Sequence, residues 1–261
     1  MTTDRRREGF PTEINEYAAF AEFYDRLTAD VDYPARADYF LKLFDRCGVT
    51  PGSLLDLACG SGTLSLELSA RGADVIGVDG SEDMLALAQD KARRAGRSLL
   101  FLHQDMRRLD LYGTVDGAVC TLDSLNHLLD TGSLAEIFRR LHLFIAPGGV
   151  LLFDVNTPYK HRHILGDNSF VYEEEDFLCV WRNHLIERTC EVEMLLDFFI
   201  ETPDGRYERL TDRVRERAYS RRTWEQLLEA AGFERLGVFG DGGFDPPVEA
   251  EERWVFAARR K

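Results

Sequence analysis

The fold is decided by the stretch Asp56-Leu57-Ala58-Cys59-Gly60-Ser61-Gly62. It joins an apolar run at Ser53–Leu57 to a helical pattern that begins at Thr63. Glycines at such a junction let a ligand approach the backbone, and the N-terminus of the following helix offers free N–H groups. The stretch therefore predicts a strand-to-helix turn that binds a ligand. A tight turn without a ligand can have the same glycines, so the neighbouring elements must decide between the two.

Outward from this turn, strand and helix patterns alternate. The other strand patterns are Asp74–Asp79, Leu99–His103, Val115–Cys120, Val150–Val155, Phe233–Phe239 and Trp254–Ala258. Alternation of this kind is typical of a parallel sheet with helices on both faces. We therefore expect an α/β fold with a Rossmann-like sheet of seven strands, mostly parallel, whose last strand is antiparallel.

Two further segments frame this core. Aromatic residues at helical spacing predict two N-terminal helices, which contain Phe23 and Phe40 respectively. After the fifth strand, long apolar segments predict a three-stranded antiparallel insertion at Phe177–Ile186, Cys190–Glu201 and Arg206–Tyr219. We thus expect N-terminal helices and a ligand-binding core over 1–160, a β insertion that covers the substrate over 161–219, and the closing helix and strands over 220–261.

The amino-acid composition limits the classes of binding partner. The 261 residues include 46 Asp plus Glu against 32 Lys plus Arg, which gives a formal charge of −14. This balance disfavours nucleic acids and anionic membranes, since both attract cationic proteins. The five scattered cysteines indicate reduced thiols, and no apolar run approaches membrane-spanning length. We expect a cytoplasmic protein, a monomer or a homodimer, with a small-molecule substrate.

Acidic residues around the glycine turn specify the ligand. Asp79 ends the second strand 19 residues beyond Gly60, the spacing at which a carboxylate binds ribose hydroxyls. The dinucleotide fingerprint fails at its third glycine, where Ser65 stands. Asp56 would repel a pyrophosphate but would attract an ammonium group. The turn therefore suits a nucleoside with a cationic amino-acid tail better than it suits NAD.

S-adenosylmethionine is such a nucleoside, and the chain resembles the class I S-adenosylmethionine-dependent methyltransferases. The resemblance rests on the glycine turn, on Val78-Asp79-Gly80-Ser81, on Gln104-Asp105-Met106 and on Pro147-Gly148-Gly149. In the family, an acidic residue in the third of these motifs accepts a hydrogen bond from the adenine amine. The resemblance implies cofactor binding by Asp56, Ala58, Cys59, Gly60, Gly62, Asp79, Gly80, Met84, Asp105, Met106 and Leu122.

The N-terminal segment is similar to that of a small-molecule subgroup. Residues 17–25 and 30–33 resemble the corresponding helices of amino-sugar N-methyltransferases and of uncharacterised bacterial methyltransferases. In that subgroup the N-terminal tyrosines help to close the cofactor pocket. The resemblance implies this role for Tyr17 and Tyr24; packing on a helix face is the alternative.

The acceptor side is expected beyond the fourth strand. Methyl transfer is an in-line displacement, so the protein mainly aligns the nucleophile and removes a proton where needed. His127 is the candidate general base, because an imidazole titrates near neutrality. Substrate contacts are predicted for Tyr33, Asp123, Asn126, Trp181 and Arg217. Packing by His127 and helix capping by Asp123 or Asn126 are the alternatives.

No metal site is expected. The acidic run 173–176 is typical of a solvated turn, since consecutive carboxylates seldom converge on one ion. His161 and His163 lack a third ligand at a set spacing.

The sequence thus predicts an S-adenosylmethionine-dependent methyltransferase that acts on N or O of a small molecule. An NAD(P)-dependent oxidoreductase is one alternative, and the missing third glycine and Asp56 speak against it. A non-catalytic S-adenosylmethionine-binding module is another.

Overall fold

The computed structural model describes residues 18–261, with side chains from Phe23 onward. In this part of the chain the helices are α1 (Ala18–Leu27), α2 (Tyr33–Arg46), α3 (Thr63–Ala70), α4 (Glu82–Arg94), α5 (Thr131–Phe144) and α6 (Arg221–Ala230). None of the helices described is both long and apolar enough to span a membrane. The core strands are β1 (Ser53–Leu57), β2 (Asp74–Asp79), β3 (Leu100–His103), β4 (Val115–Cys120), β5 (Ile145–Asn156), β10 (Phe233–Gly240) and β11 (Arg253–Arg260).

These core strands form one sheet in the order β10-β11-β5-β4-β1-β2-β3. Strands β1 to β5 pair in parallel, whereas β11 is antiparallel to both β5 and β10. The predicted Rossmann-like fold with an antiparallel last strand is confirmed. Chain order reverses between β1 and β4, so the carboxyl ends of these two strands flank the crevice in which such sheets bind ligands.

Helices cover the sheet on both faces. On one face, Phe138 and Trp224 from α5 and α6 pack on Phe153 and Phe256. On the other face, the α2 residues Phe40 and Phe44 belong to a second apolar cluster that also contains β1 and β4 side chains. These two buried layers hold the strand ends, and therefore the crevice, in place.

The insertion after β5 is a separate antiparallel sheet. Its order is β6 (Ser169–Glu173), β7 (Phe177–Ile186), β8 (Glu191–Glu201) and β9 (Tyr207–Arg217). The prediction of three strands was wrong, because β6 was missed. In β6 only Phe170 is even partly buried, so this edge strand lacks the alternation of apolar and polar residues by which strands are predicted.

Element boundaries follow local hydrogen bonds. Ser81 and Ser220 are the N-caps of α4 and α6, since their hydroxyls accept from Met84 N–H and Thr223 N–H. Helix α5 begins at Thr131, because the side chain of Asp130 caps it by accepting from Ser133 N–H at 2.8 Å.

Candidate functional site

A cavity lies at the reversal of strand order, between the carboxyl ends of β1 and β4. Its empty volume is about 300 Å³, part of it open to solvent. The helices α1 and α2 close it from the N-terminal side. Its wall consists of Tyr24, Tyr33, Asp56, Ala58, Cys59, Ser61, Thr63, Leu64, Thr121, Leu122 and Ser124.

The glycine turn forms the floor of this cavity with left-handed backbone. Gly60 has φ +53° and Gly62 has φ +72°. A Cβ on Gly62 would lie 2.7 Å from the Cβ of Ala88, so Gly62 is needed where α3 meets α4. A Cβ on Gly60 would lie 3.8 Å from the Tyr24 ring, which is ordinary contact. Ala58 is left-handed too, at φ +58°, although it has a side chain. Such backbone strain is common at functional sites.

Asp79 is tied directly to the turn. Its Oδ2 accepts from Gly60 N–H at 2.8 Å, and its Oδ1 accepts from Ser81 N–H at 2.8 Å. Each carboxylate oxygen has a second lone pair for a ligand. Two backbone donors thus orient the carboxylate that was predicted to bind ribose.

Asp56 is buried beneath the turn. Ser65 Oγ donates to its Oδ2 at 2.5 Å, which explains why a serine stands at the third glycine position. Burial, helped by the nearby charge of Asp79, raises the pKa of Asp56 to about 7. The cavity wall therefore contains a carboxylate without a cationic partner among the described residues, and the positive end of a ligand fits there.

Helix α1 is fastened over the cavity by charged groups. Ser61 Oγ donates to Asp25 Oδ1 at 2.6 Å, and Lys91 Nζ lies 2.6 Å from Asp25 Oδ2. Arg26 binds Glu174 and Asp176 in the loop between β6 and β7. Two of the acids in the predicted solvated turn therefore hold α1. Tyr24 forms part of the wall, and burial raises its pKa. Tyr17 lies outside the described residues.

Four of the predicted cofactor residues follow the ends of β2 and β3, outside the wall of this cavity: Gly80, Met84, Asp105 and Met106. Asp105 caps a short turn by accepting from Arg107 N–H at 2.9 Å. Hydrogen bonds from the Arg107 side chain lower the pKa of Asp105. Met84 is buried in α4, Met106 packs against the core, and the Gly80 carbonyl lies 3.0 Å from His103 Nε2. Cys59 lines the cavity, and burial raises its pKa.

The turn after β4 is held by charged residues that no motif indicated. Leu122 and Asp123 are both left-handed, at φ +53° and +56°. Their N–H groups donate to the Asp154 carboxylate at 3.1 and 3.0 Å. Arg253 binds Asp154 and lies 2.7 Å from Asp123 Oδ1. Although burial opposes it, the charges of these acids raise the pKa of Arg253. Asp154 stands inside the otherwise apolar strand β5, and this was the one sequence signal of the buried charged group.

A second buried polar cluster surrounds His127. The Asn126 side chain is fully buried: its Nδ2 donates to the Asn156 and Arg217 carbonyls, and its Oδ1 accepts from Asn156 N–H. This favours a structural role for Asn126 over substrate contact. The Nε2 of His127 lies 4.0 Å from Glu216 Oε1. Sequence reasoning missed Glu216, because it lies on β9 in the insertion.

The two insertion residues predicted to contact substrate make internal contacts. Arg217 Nη1 donates to the Leu129 carbonyl at 2.8 Å. The Trp181 indole donates to Asn183 and packs on Phe170 and Tyr172. Neither residue lines the cavity, whereas Tyr33 does.

One group of potential metal ligands occurs in the described chain. Single ligand atoms of Asp123, His127 and Glu216 all lie within 4.8 Å of one another. The expectation of no metal therefore stays a prediction. His161 and His163 have different surroundings: His161 is buried 3.4 Å from Glu216, and the exposed His163 packs at a tilted angle against Tyr159.

Comparisons with known proteins give the same answer as the fold. Residues 54–149 match a model described as a methyltransferase domain. A putative methyltransferase of Geobacillus sp. is 34% identical over 94% of this chain and 99% of its own length. A glycine/sarcosine N-methyltransferase of Halorhodospira halochloris is 27% identical over 92% and 90%.

Solved structures agree. The crystal structure of an S-adenosylmethionine-dependent methyltransferase from Clostridium acetobutylicum superimposes with a TM-score of 0.84, at 29% identity over 94% of this chain and 98% of that one. Similarity over nearly the full length of these proteins includes the helices, the sheet and the insertion. The chain belongs to the class I S-adenosylmethionine-dependent methyltransferase family.

Proposed function

We propose that this protein transfers a methyl group from S-adenosylmethionine to a nitrogen or oxygen of a small molecule. The observation that carries the proposal is the link between the glycine turn and Asp79, whose carboxylate accepts from Gly60 N–H at 2.8 Å. This link fixes an acidic group beside a ligand-binding turn, where ribose hydroxyls can reach it. The name of the Clostridium structure supports the same cofactor.

The charge of the cavity wall supports a cationic cofactor rather than NAD(P). Asp56 lines the cavity and is 1% exposed. A pyrophosphate beside it would place like charges in a poorly hydrated space. The ammonium group of the methionine moiety would instead pair with the carboxylate and favour its ionised form.

The three acidic cofactor residues then have distinct tasks. Asp79 binds the ribose, Asp105 accepts from the adenine amine, and Asp56 faces the ammonium group. Tyr24, and Tyr17 by resemblance, exclude water from the cavity. The bound cofactor supplies an activated methyl group, and the chain aligns the acceptor with it.

The acceptor side is proposed to lie between the turn after β4 and the insertion. Tyr33 lines the cavity and is the substrate contact best supported by its position. Asp123 lies between the wall residues Leu122 and Ser124, and His127 is the proposed general base. The insertion within 161–219 would cover the acceptor, while the flanking segments 1–160 and 220–261 form the cofactor-binding core. Relatives such as the glycine/sarcosine N-methyltransferase are named for small amine substrates.

A non-catalytic cofactor-binding module is the second candidate. It would bind the cofactor and transfer nothing. Against it, the ion pairs of α1 with the core and with the insertion partly cover the cavity, and such cover serves turnover by excluding water. The five cysteines form no disulfide, which suits a reducing compartment such as the cytoplasm.

A turnover assay tests the proposal. Radiolabelled S-adenosylmethionine is incubated with the protein and with panels of amines, amino sugars and phenols, and methylated product is counted. Transfer to at least one class is expected. Tight cofactor binding with no transfer to any class would favour the module.

The role of His127 has its own test. His127→Ala should slow turnover and leave cofactor affinity nearly unchanged, because the imidazole is expected to act on the acceptor. His163→Ala is the matched control, since His163 is exposed and its ring packs against Tyr159 at a tilted angle. Turnover equal to wild type in His127→Ala would remove it as the base.

A further inference from the structure

We propose that a small organic anion, with an oxyanion head and an apolar body, binds in a cavity at the edge of the main sheet. The inference goes beyond the proposed function, because the methyl transfer does not use this cavity. Its empty volume is about 730 Å³, part of it open to solvent, and ligand pockets commonly measure about 300–1,000 Å³. Its wall consists of Leu43, Arg46 and the cap residue Cys47 of α2, and of Leu236, Phe239 and Arg259 from β10 and β11.

This edge cavity is separate from the cofactor cavity. No residue belongs to both walls. In the pairing of β11 with β5, Arg259 stands opposite Val150, whereas Arg253 stands opposite Asn156 at the carboxyl end of β5. Arg253 belongs to the network that holds the turn beside the cofactor cavity. Arg259 and the edge cavity therefore lie toward the other end of the strands.

Two guanidinium groups make part of the edge cavity positive. Arg259 Nη2 donates to the Cys47 carbonyl, and the guanidinium carbon of Arg46 lies 3.9 Å from the centroid of the Phe244 ring. Neither arginine forms an ion pair with an acid in the part of the chain that the structure describes. In a chain with a formal charge of −14, two arginines that share one cavity without an acidic partner favour a bound anion.

Capping of α2 accounts for only part of this charge. The C-terminus of a helix carries about half a negative charge, whereas each arginine carries a full positive one. The Cys47 carbonyl accepts from one nitrogen of Arg259, and the other donors of that guanidinium remain for a ligand. Glu234 stands opposite Arg259 in the pairing of β10 with β11, but the two form no ion pair. The wall therefore keeps a net positive charge with N–H donors for an oxyanion.

The rest of the wall is apolar and suits the body of an organic anion. Leu43 is fully buried, while Leu236 and Phe239 on the edge strand β10 are only partly buried. A ligand that covers these side chains removes apolar surface from water. A guanidinium binds two oxygens of a carboxylate or phosphate at once. The wall thus combines donors for the head with a surface for a carbon chain, and it repels a cation.

The test uses octanoate and octyl phosphate as probes, with octanol and octylammonium as their neutral and cationic counterparts. Each is titrated calorimetrically into the full-length protein in the presence of saturating S-adenosylhomocysteine. At least one anion should bind saturably, with a dissociation constant of about 1 mM or below, and more weakly in high salt. The tighter of the two identifies the preferred head. Octanol and octylammonium should bind at least about tenfold more weakly. No saturable binding of either anion, or equal binding of octylammonium, would overturn the proposal.

Variants localise the binding. Arg46→Met and Arg259→Met each remove one guanidinium and keep an apolar side chain, so the affinity for the anion should fall about tenfold, the equivalent of one charge-assisted hydrogen bond. Arg222→Met is the matched control, because Arg222 is an exposed arginine on α6. Unchanged affinity in either cavity variant would overturn the proposal. Arg46 is exposed, so Arg46→Met decides alone should Arg259→Met, which loses its bond to Cys47, fail to fold.

The inference and the proposed function can fail separately. Absence of S-adenosylmethionine binding would refute the function and leave the titrations with the anions unaffected. Displacement of the bound anion by S-adenosylhomocysteine would place the anion in the cofactor cavity and overturn only the inference.

Discussion

The two sides of the cavity are held together in different ways. On the cofactor side the contacts are short in sequence: Gly60 and Asp79 are 19 residues apart, and Asp56 and Ser65 are 9 apart. On the acceptor side, Asp123 and Arg253 are 130 residues apart. The first side is encoded locally, as a motif, whereas the second exists only once the whole sheet has formed.

Substitution of Arg253 should have the largest effect, and it acts on the acceptor side. Arg253→Met removes the cation between Asp123 and Asp154 and leaves Asp154 paired with Arg36 alone, at 3.1 Å. Breaking a buried ion pair from one side costs about 3–5 kcal/mol, so we expect that loss in the free energy of unfolding in urea. Arg93→Met, at a highly exposed site on α4, should change it by less than about 0.5 kcal/mol. A cost at Arg253 no larger than at Arg93 would show that the acceptor side does not depend on this network.

The carboxyl group of Asp56, on the cofactor side, makes the stability of the protein depend on pH. The unfolded carboxyl loses its proton near its ordinary pKa of 3.8, and the folded one near 7. Between these values the folded state binds more protons, so the contribution of Asp56 to stability falls as pH rises. The free energy of unfolding of Asp56→Asn, relative to that of wild type, should therefore rise by about 2–3 kcal/mol between about pH 5 and pH 8.

Urea unfolding at both pH values measures this effect. Asp74→Asn, an exposed site at the start of β2, is the control and should follow wild type. A constant difference between Asp56→Asn and wild type would mean that Asp56 is ionised throughout the range.

Asp79 tests the proposed ribose contact. Asp79→Ala removes a carboxylate that would form charge-assisted hydrogen bonds to ribose hydroxyls, so cofactor binding should weaken by about 1.5–3 kcal/mol. Calorimetric titration gives the affinity. Asp74→Ala on the same strand should bind as wild type does; unchanged affinity in Asp79→Ala would place the ribose elsewhere.

The smallest change in stability is expected at Ala58, which belongs to the glycine turn on the cofactor side. Its φ of +58° is unfavourable for a residue with a Cβ, so Ala58→Gly should stabilise the protein by about 1 kcal/mol. Ala86→Gly, at an exposed site inside α4, should destabilise it by about the same amount. The same sign for both variants in urea unfolding would contradict the assigned strain at Ala58.

The same contrast explains what could be predicted from the sequence. The order of strands and helices, and the positions of Gly60 and Asp79, follow from local patterns. Glu216 and Arg253 act through partners on other strands, so no spacing indicates them. Trp181 and Arg217 were chosen from the insertion, but residue type alone does not say which way a strand residue faces. Strand β6 was missed because its residues are mostly exposed.

Calorimetric titration of the protein with S-adenosylmethionine and S-adenosylhomocysteine tests the central claim most directly. The account predicts saturable binding of both at one site per chain, with dissociation constants below a millimolar. Absence of binding by either compound at millimolar concentration would contradict it.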